Sequence, residues 1–179
     1  HQRFTTKFNV PLSGGLFLGI GFVLIFNSNF IVFNIFLLMI LILGICSDSL
    51  IIKSPTNRFF LQIFIVFLFV IITDLQINYT RIIFLDYILK SNIINYIFVA
   101  LCILIIINGT NFIDGLNTLV LGYYLIITFI IFKLGFFEIY DFQEYQIIIW
   151  ISLIFFLFLF NLFNKLYIGD SGAYVLGFI

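Results

Sequence analysis

Three aspartates stand at the ends of long apolar stretches of this sequence: Asp48 in GICSDSL, Asp114 in NGTNFIDGLN and Asp170 in YIGDSGAY. A carboxylate in such surroundings is costly and marks a functional site by default. Carboxylates do not bind phosphates directly, but they bind Mg²⁺, which in turn binds phosphate oxygens. Brought together by a fold, the three aspartates would form a site for a magnesium-bound, phosphorylated substrate.

The first aspartate, Asp48, lies at the predicted C-terminus of an apolar helix, between Ser47 and Ser49. The negative end of the helix dipole disfavours an anion at this position, so a cation is expected close to the carboxylate. A solvated loop aspartate explains the same pattern equally well. The residues around Asp48 leave both interpretations open.

The second aspartate belongs to a row in which Asn108, Asn111, Asp114 and Asn117 recur every three residues. On a helix this row would drift around the axis and leave a common face. We therefore predict a loop that enters a helix, with Asp114 as the N-cap and Asn117 at the third helical position. A capped helix start accounts for the aspartate but not for three asparagines, which favours a functional site.

The third aspartate, Asp170, lies between glycines immediately before the last apolar run. We predict a helix start whose backbone N–H groups face a phosphate, with Asp170 free to hold a metal ion. The letters GDSG also occur in the nucleophile loop of serine proteases. That chemistry is excluded, because the one histidine is His1 and the motif opens an apolar helix.

A pair of glycines, Gly14 and Gly15 in PLSGGL, opens the first apolar run. Glycines permit close backbone approach, which serves either helix packing or contact with a phosphate. For the pair taken alone, packing is the favoured interpretation. Contact with a substrate phosphate is the alternative.

The amino-acid composition indicates whether this chain folds in water or in a membrane. Of its 179 residues, 64% are hydrophobic and 9% are charged, against about 25% charged in average proteins. So little polar surface cannot cover a water-soluble core, and the chain belongs in a lipid bilayer. The formal net charge is zero, which argues against a nucleic-acid partner. Cys46 and Cys102 lie in apolar runs and are interpreted as buried hydrophobic side chains.

Hydropathy predicts an all-α fold, a polytopic transmembrane helical bundle, because a bilayer core of ~30 Å requires roughly 20 apolar residues as a helix. The mixed segment 74–91 is predicted to be an extramembrane hairpin or an interfacial helix. We expect one transmembrane domain over 1–179, as a part of a longer protein. About six spans and the start of a further one are predicted, at 12–27, 30–46, 59–73, 92–107, 116–133 and 146–163, and from near Ser171.

Alternating crossings place the three aspartates at the same membrane face. The connections at 1–11, 47–58, 108–115 and 164–171 share one side. That side carries more Lys and Arg than the other, which predicts that it faces the cytoplasm. The basic residues on the first side are Arg3, Lys7, Lys53, Arg58 and Lys165, and those on the second are Arg81, Lys90 and Lys133.

In their order along the chain, these motifs resemble those of the polyprenyl-phosphate N-acetylhexosamine-1-phosphate transferases (glycosyltransferase family 4). VPLSGGL is similar to the family's Pro-x-x-Gly-Gly-Leu, and LGICSDSLIIKSPTNR to its Gly-x-x-acid-Asp stretch followed by Ser-Pro and an Arg. NGTNFIDGLNTL resembles Asn-x-x-Asn-x-x-Asp-Gly-x-Asn-Gly-Leu, and NKLYIGDSGAYVLGF resembles Lys-x-Phe-x-Gly-Asp-x-Gly-Ala-Tyr-x-Leu-Gly. Asn117 and the letters GAY at 172–174 look more like the branch that uses UDP-N-acetylglucosamine and undecaprenyl phosphate.

The resemblance implies a magnesium-dependent phosphotransferase, with Mn²⁺ as an alternative metal. Such an enzyme transfers a sugar-1-phosphate from a UDP-sugar to polyprenyl phosphate, releases UMP and so initiates a cell-envelope glycan of the cell wall or of lipopolysaccharide. The implied location is the bacterial cytoplasmic (inner) membrane, with the active site facing the cytoplasm. The implied partners are the UDP-sugar, the polyprenyl phosphate lipid and the membrane, and a homodimer is left open.

The resemblance also implies roles for individual residues. Asp170 would be the metal ligand, and Asp48 and Asp114 would be catalytic. Asp48 would lie by the lipid phosphate, as a base or as an electrostatic organiser. The implied substrate-binding residues are Asn108, Asn111, Asn117, Gly169, Gly14 and Gly15.

Three positions depart from the family pattern: Ser47 replaces a first acid, Leu12 an Arg and Thr118 a Gly. These departures keep a catalytically inactive homologue open as an alternative. A transporter segment is another, because polar helix breaks also line transport pathways. The clustering of polar residues at helix ends, rather than at mid-span, favours the enzyme.

Overall fold

The computed structural model describes residues 11–26, 30–116, 118–136 and 142–179, and no β-strand occurs among them. This confirms the predicted all-α class. In chain order the helices are α1 (Gly14–Ile25), α2 (Ile31–Asp48), α3 (Pro55–Thr73), α4 (Ile83–Ile88), α5 (Asn92–Ile113), α6 (Leu119–Lys133), α7 (Glu144–Leu162) and α8 (Gly169–Phe178).

Four helices, α2, α3, α5 and α7, are long and apolar enough to cross a membrane by length and composition. Helices α1 and α6 are shorter apolar helices of 12 and 15 residues. The six predicted spans correspond to these six helices, and the predicted further span corresponds to α8. The chain is therefore a polytopic membrane protein.

The segment 74–91 does not cross the bundle. Its described helix, α4, has 6 residues and is about 9 Å long, far short of a bilayer core. Asn95, in the first turn of α5, accepts a hydrogen bond from Ile77 N at 2.9 Å and donates one to the Leu89 carbonyl at 3.0 Å. The end of α3 and the start of α5 are thus tied together at one end of the bundle.

The short helix α8 lies in the centre of the bundle, against α1, α2 and α5. All of its residues except Asp170 are buried. A Cβ at Gly15 would lie 2.3 Å from Ser171 Oγ, and a Cβ at Gly44 would lie 2.3 Å from Ser171 Cα. Because these positions carry no side chain, the backbones of α1 and α2 approach α8 closely, as in other membrane helix pairs.

Aromatic side chains fill the end of the bundle opposite to the start of α8. Phe22 of α1 packs edge-on against Trp150 of α7, with ring centroids 5.2 Å apart. Phe26 contacts both Trp150 and Phe142. Gln146 links the same two helices by donating to the Ile25 carbonyl at 2.7 Å. This end is built for packing, in contrast to the end where α8 begins.

Candidate active site

The polar motifs of the sequence meet where α1, α3 and α8 begin and α2 and α5 end, a region here called the site end. Gly14 N donates to the Tyr167 carbonyl at 3.1 Å, which holds the start of α1 against the chain entering α8. Asp48, the last residue of α2, reaches the first turn of α8 across 122 positions of sequence. The structure thus brings Asp48 and Asp170 together.

The carboxylate of Asp48 caps the N-terminus of α8. Oδ1 accepts a hydrogen bond from Asp170 N at 2.8 Å, and Oδ2 accepts from Ser171 N at 3.1 Å and from Ser171 Oγ at 2.7 Å. From the sequence, a cation beside Asp48 and a solvated loop aspartate were equally good interpretations. Among the described residues, the compensation comes instead from three neutral donors at the positive end of the α8 dipole. The negative end of the α2 dipole disfavours the Asp48 carboxylate, and the positive end of the α8 dipole stabilises it.

Gly169 makes this cap sterically feasible. Its φ is +66°, in the left-handed region that residues with a side chain rarely adopt. A Cβ at this position would also lie 2.7 Å from Asp48 Oδ2. The structure therefore explains Gly169 by the Asp48 carboxylate, and its contact with a substrate stays a prediction.

Asp170, the predicted metal ligand, forms an ion pair with Arg58 of α3. Arg58 Nη1 lies 2.7 Å from Asp170 Oδ2, and the Ser47 hydroxyl also donates to Oδ2. Within the described residues, no hydrogen bond engages the other oxygen, Oδ1. The Arg58 and Asp170 side chains are 23% and 28% exposed, so the pair is accessible at the site end.

Sequence reasoning missed Arg58 as a site residue and treated it as a contributor to sidedness. A signal was present, because a proline at the first helical position predicts that α3 begins at Pro55. Arg58 then lies in the first turn, where the positive end of the dipole disfavours an unpaired cation. An anionic partner for Arg58 could have been expected, although nothing local identified it as Asp170.

Asp114 lies at a different helix boundary from the predicted one. It is the C-cap of α5, which runs to Ile113, and α6 begins only at Leu119. The N-cap prediction for Asp114 is therefore wrong, and the prediction for Asn117 falls outside the described residues. Thr118 takes the N-cap position of α6, with a φ of 68° that glycine adopts more readily.

Helix α5 continues through Asn108 and Asn111 to Ile113, and the side chain of Asn108 has hydrogen-bond partners within the bundle. Asn108 donates to the Leu104 carbonyl one turn earlier at 2.8 Å and to Gln62 Oε1 of α3 at 3.0 Å. Thr110 shares a 2.7 Å hydrogen bond with the Tyr124 hydroxyl of α6. Asn108 and Asn111 thus lie on the last turns of α5, close to the site end, and their substrate contacts stay predictions.

Asp114 is electrostatically coupled to the other two aspartates. Burial raises the pKa of its carboxyl to about 8, and the negative charges of Asp170 and Asp48 act in the same direction. The three carboxylates therefore share one electrostatic environment at the site end. A bound divalent cation would relieve their mutual repulsion.

The first-turn glycines of α1 have packing roles in the structure. Gly14 and Gly15 are buried, and their N–H groups donate to the carbonyls of Tyr167 and Ile168 at 3.1 and 3.2 Å. A Cβ on Gly14 would lie 2.9 Å from Ile168 Cα. These contacts agree with the packing interpretation that the motif alone favoured. A contact between these glycines and substrate stays a prediction.

The donor set fits a magnesium ion whose coordination is completed by substrate. In the described part of the chain, no three His, Cys, Asp or Glu side chains are grouped as a metal cage. Mg²⁺ does not require one, because it usually keeps several waters and binds one or two carboxylates together with substrate phosphates. Asp170 offers such a carboxylate, and Asp114 is near enough for their charges to interact.

The pKa of Asp114 gives a testable pH dependence. The folded protein holds this proton up to about pH 8, whereas an unfolded chain releases it near pH ~3.9. Between these values the folded state binds more protons, so the free energy of unfolding falls as pH rises, by at most about 1.4 kcal/mol per pH unit. Thermal melting in detergent without divalent cations, from pH 5 to 8, should show a shallower fall for Asp114→Asn than for the wild type.

Glu144→Gln is the matched control for this measurement, because Glu144 is an exposed carboxylate at the start of α7. It should leave the slope of stability against pH unchanged. Equal slopes for the wild type and Asp114→Asn would contradict the assignment of the raised pKa to Asp114.

These observations define a class of protein: a polytopic membrane protein whose carboxylates converge at one end of a helical bundle. The sequence model of glycosyl transferase family 4 matches residues 30–179, which include α2 to α8. The chain belongs to that family. It is accordingly a transferase of a family that in general transfers a sugar phosphate to a lipid carrier. No curated protein and no solved structure matches the chain.

Proposed function

We propose that this protein transfers N-acetylhexosamine-1-phosphate from a UDP-sugar to polyprenyl phosphate, at the cytoplasmic face of a bacterial inner membrane. The observation that supports the proposal is the contact of the Asp48 carboxylate with the first turn of α8, which carries Asp170, in a chain of this family. Asp114, at the end of α5, adds a third carboxyl, whose pKa the charges of the other two help to raise. The product would be a polyprenyl diphosphate sugar, which initiates a cell-envelope glycan.

The proposed reaction forms one P–O bond and breaks another. An oxygen of the lipid phosphate attacks the sugar-linked phosphorus of the UDP-sugar, and UMP leaves with the electron pair of the broken diphosphate bond. A phosphate monoester is largely ionised near neutral pH, so no side chain has to remove a proton from it. The oxygens of Asp48 already accept three hydrogen bonds. We therefore assign Asp48 to organising the start of α8, and not to general base catalysis.

Asp170 would hold a divalent cation through Oδ1, the oxygen that is not engaged by Arg58 or Ser47. Mg²⁺, with Mn²⁺ as an alternative, neutralises diphosphate charge when bound. Asp114 holds its proton near neutral pH in the cation-free protein, and it would contribute negative charge once a bound cation lowers the pKa of its carboxyl. Asn108 and Asn111, on the last turns of α5, would contact the nucleotide and the diphosphate.

UMP release tests the proposal. Membranes that contain the full-length protein, supplied with UDP-N-acetylglucosamine, polyprenyl phosphate and Mg²⁺, should release UMP and form a lipid-linked sugar. EDTA should abolish both products, and an excess of Mg²⁺ should restore them. If folded protein releases no UMP from any UDP-sugar, a transporter segment or an inactive homologue takes the place of the enzyme. Ser47 gives the inactive alternative a concrete basis, because it contacts Asp170 at a position where the family pattern has an acid.

A further inference from the structure

The guanidinium of Arg58 has an N–H donor that makes no hydrogen bond within the described part of the chain. An Arg side chain has five N–H donors, and the contacts of Arg58 with Asp170 Oδ2 and Ser47 Oγ are both made through Nη1. Nε is buried and has no hydrogen-bond partner within the described part of the chain. A buried donor without an acceptor is destabilising, so its presence in a candidate active site indicates a role.

The ion pair also neutralises the carboxylate that the proposed function assigns to a metal. A divalent cation at Asp170 would lie beside the Arg58 guanidinium, and two adjacent cations repel each other. Arg58 lies in the first turn of α3, where the helix dipole adds to the cost of an unpaired positive charge. Arg58 therefore requires a second anion whenever a cation occupies Asp170.

A substrate phosphate is the anion that the proposed reaction brings to this place. The planar guanidinium matches two phosphate oxygens at once, and Arg is well suited to such bidentate recognition. Asp170 and Ser47 both contact Arg58 through Nη1 alone. Nε is buried in this position, so it would face a phosphate only after the side chain turns away from Asp170. At 23% exposure, the side chain can be reached by a ligand.

We propose that Arg58 exchanges partners during substrate binding. It pairs with Asp170 in the substrate-free protein, and with a substrate phosphate once a divalent cation binds Asp170. This inference rests on the proposed function and adds a substrate-binding residue to it. The phosphate belongs either to the nucleotide diphosphate or to the polyprenyl phosphate, and the experiment separates these two sources.

Opposite changes in two affinities test the exchange. Purified full-length protein in detergent is titrated with Mg²⁺ alone, and then, at saturating Mg²⁺, with UDP or with polyprenyl phosphate. Arg58→Gln should bind Mg²⁺ about tenfold more tightly, because a competing cation is gone. It should bind one of the two phosphate ligands about tenfold to a hundredfold more weakly, because a charged hydrogen bond is lost. The ligand whose affinity falls identifies the source of the phosphate.

Two further variants make the result specific. Lys53→Gln removes the same charge from an exposed side chain in the α2–α3 connection, five residues before Arg58, and should change neither affinity. Arg58→Lys keeps the charge but loses the planar fork, so it should weaken phosphate binding and leave Mg²⁺ affinity close to the wild type. This variant also carries the test if Arg58→Gln fails to fold, as judged by gel filtration.

The possible failures are distinguishable. If the wild type binds neither Mg²⁺ nor UDP, the proposed function is overturned, and the exchange is overturned with it. If the wild type binds both and Arg58→Gln weakens Mg²⁺ binding or leaves every affinity unchanged, only the exchange is overturned. A purely structural Arg58 would lower both affinities together, which is the opposite of the expected pattern.

Discussion

Replacing Asp170 by asparagine is expected to lower UMP release at least about 10²-fold while leaving the melting temperature close to that of the wild type. The substitution keeps the shape of the side chain but removes the charge that a divalent cation needs. Asp170 is 28% exposed, and its side chain contacts Arg58 and Ser47 at the surface of the site end. Solvent weakens this partly exposed ion pair, so its loss should lower activity far more than stability.

The measurement is UMP release at saturating UDP-sugar and polyprenyl phosphate over a series of Mg²⁺ concentrations. Glu144→Gln makes the same charge change at the opposite end of the bundle and should release UMP at the wild-type rate. Undiminished release by Asp170→Asn would remove Asp170 from the proposed metal site.

Replacing Asp48 by asparagine is expected to lower both stability and activity. The carboxylate accepts hydrogen bonds with both oxygens, from Asp170 N and from the N–H and hydroxyl of Ser171. An asparagine can accept with one oxygen only, and its NH₂ group would face a second donor. A donor left unpaired costs about 1–3 kcal/mol, and the start of α8, which positions Asp170, would shift.

Ser171→Ala is the matched comparison for Asp48→Asn. It deletes one of the three donors and leaves the carboxylate and both N–H contacts in place, so it should cost about 1 kcal/mol. Thermal melting and UMP release are measured on the same preparations of both variants. A loss of activity in Asp48→Asn without any loss of stability would favour the general-base role over the organising role.

The sequence alone was sufficient to predict the class of fold and to single out three aspartates as candidate site residues, but it did not identify Arg58. Apolar runs of bilayer length predicted an all-α bundle, and the alternation of crossings predicted that Asp48, Asp114 and Asp170 share one face. Both inferences use properties that do not depend on tertiary contacts. These are the free energy of transferring a residue from water to the bilayer and the length of the apolar run between polar segments. The helix boundary at Asp114 was misjudged, because Asn108 finds acceptors on its own helix and on α3.

Only the tertiary structure decided which charge meets which partner. The local position of Asp48 at the end of α2 was compatible with a nearby cation or with solvent. In the structure Asp48 caps α8, and Arg58 forms an ion pair with Asp170. These contacts join residues more than one hundred positions apart. They depend on close backbone packing at Gly15 and Gly44, which brings the start of α8 to Asp48. Residue type and spacing therefore determined which chemical groups are available to this protein, and helix packing determined which of these groups contact each other.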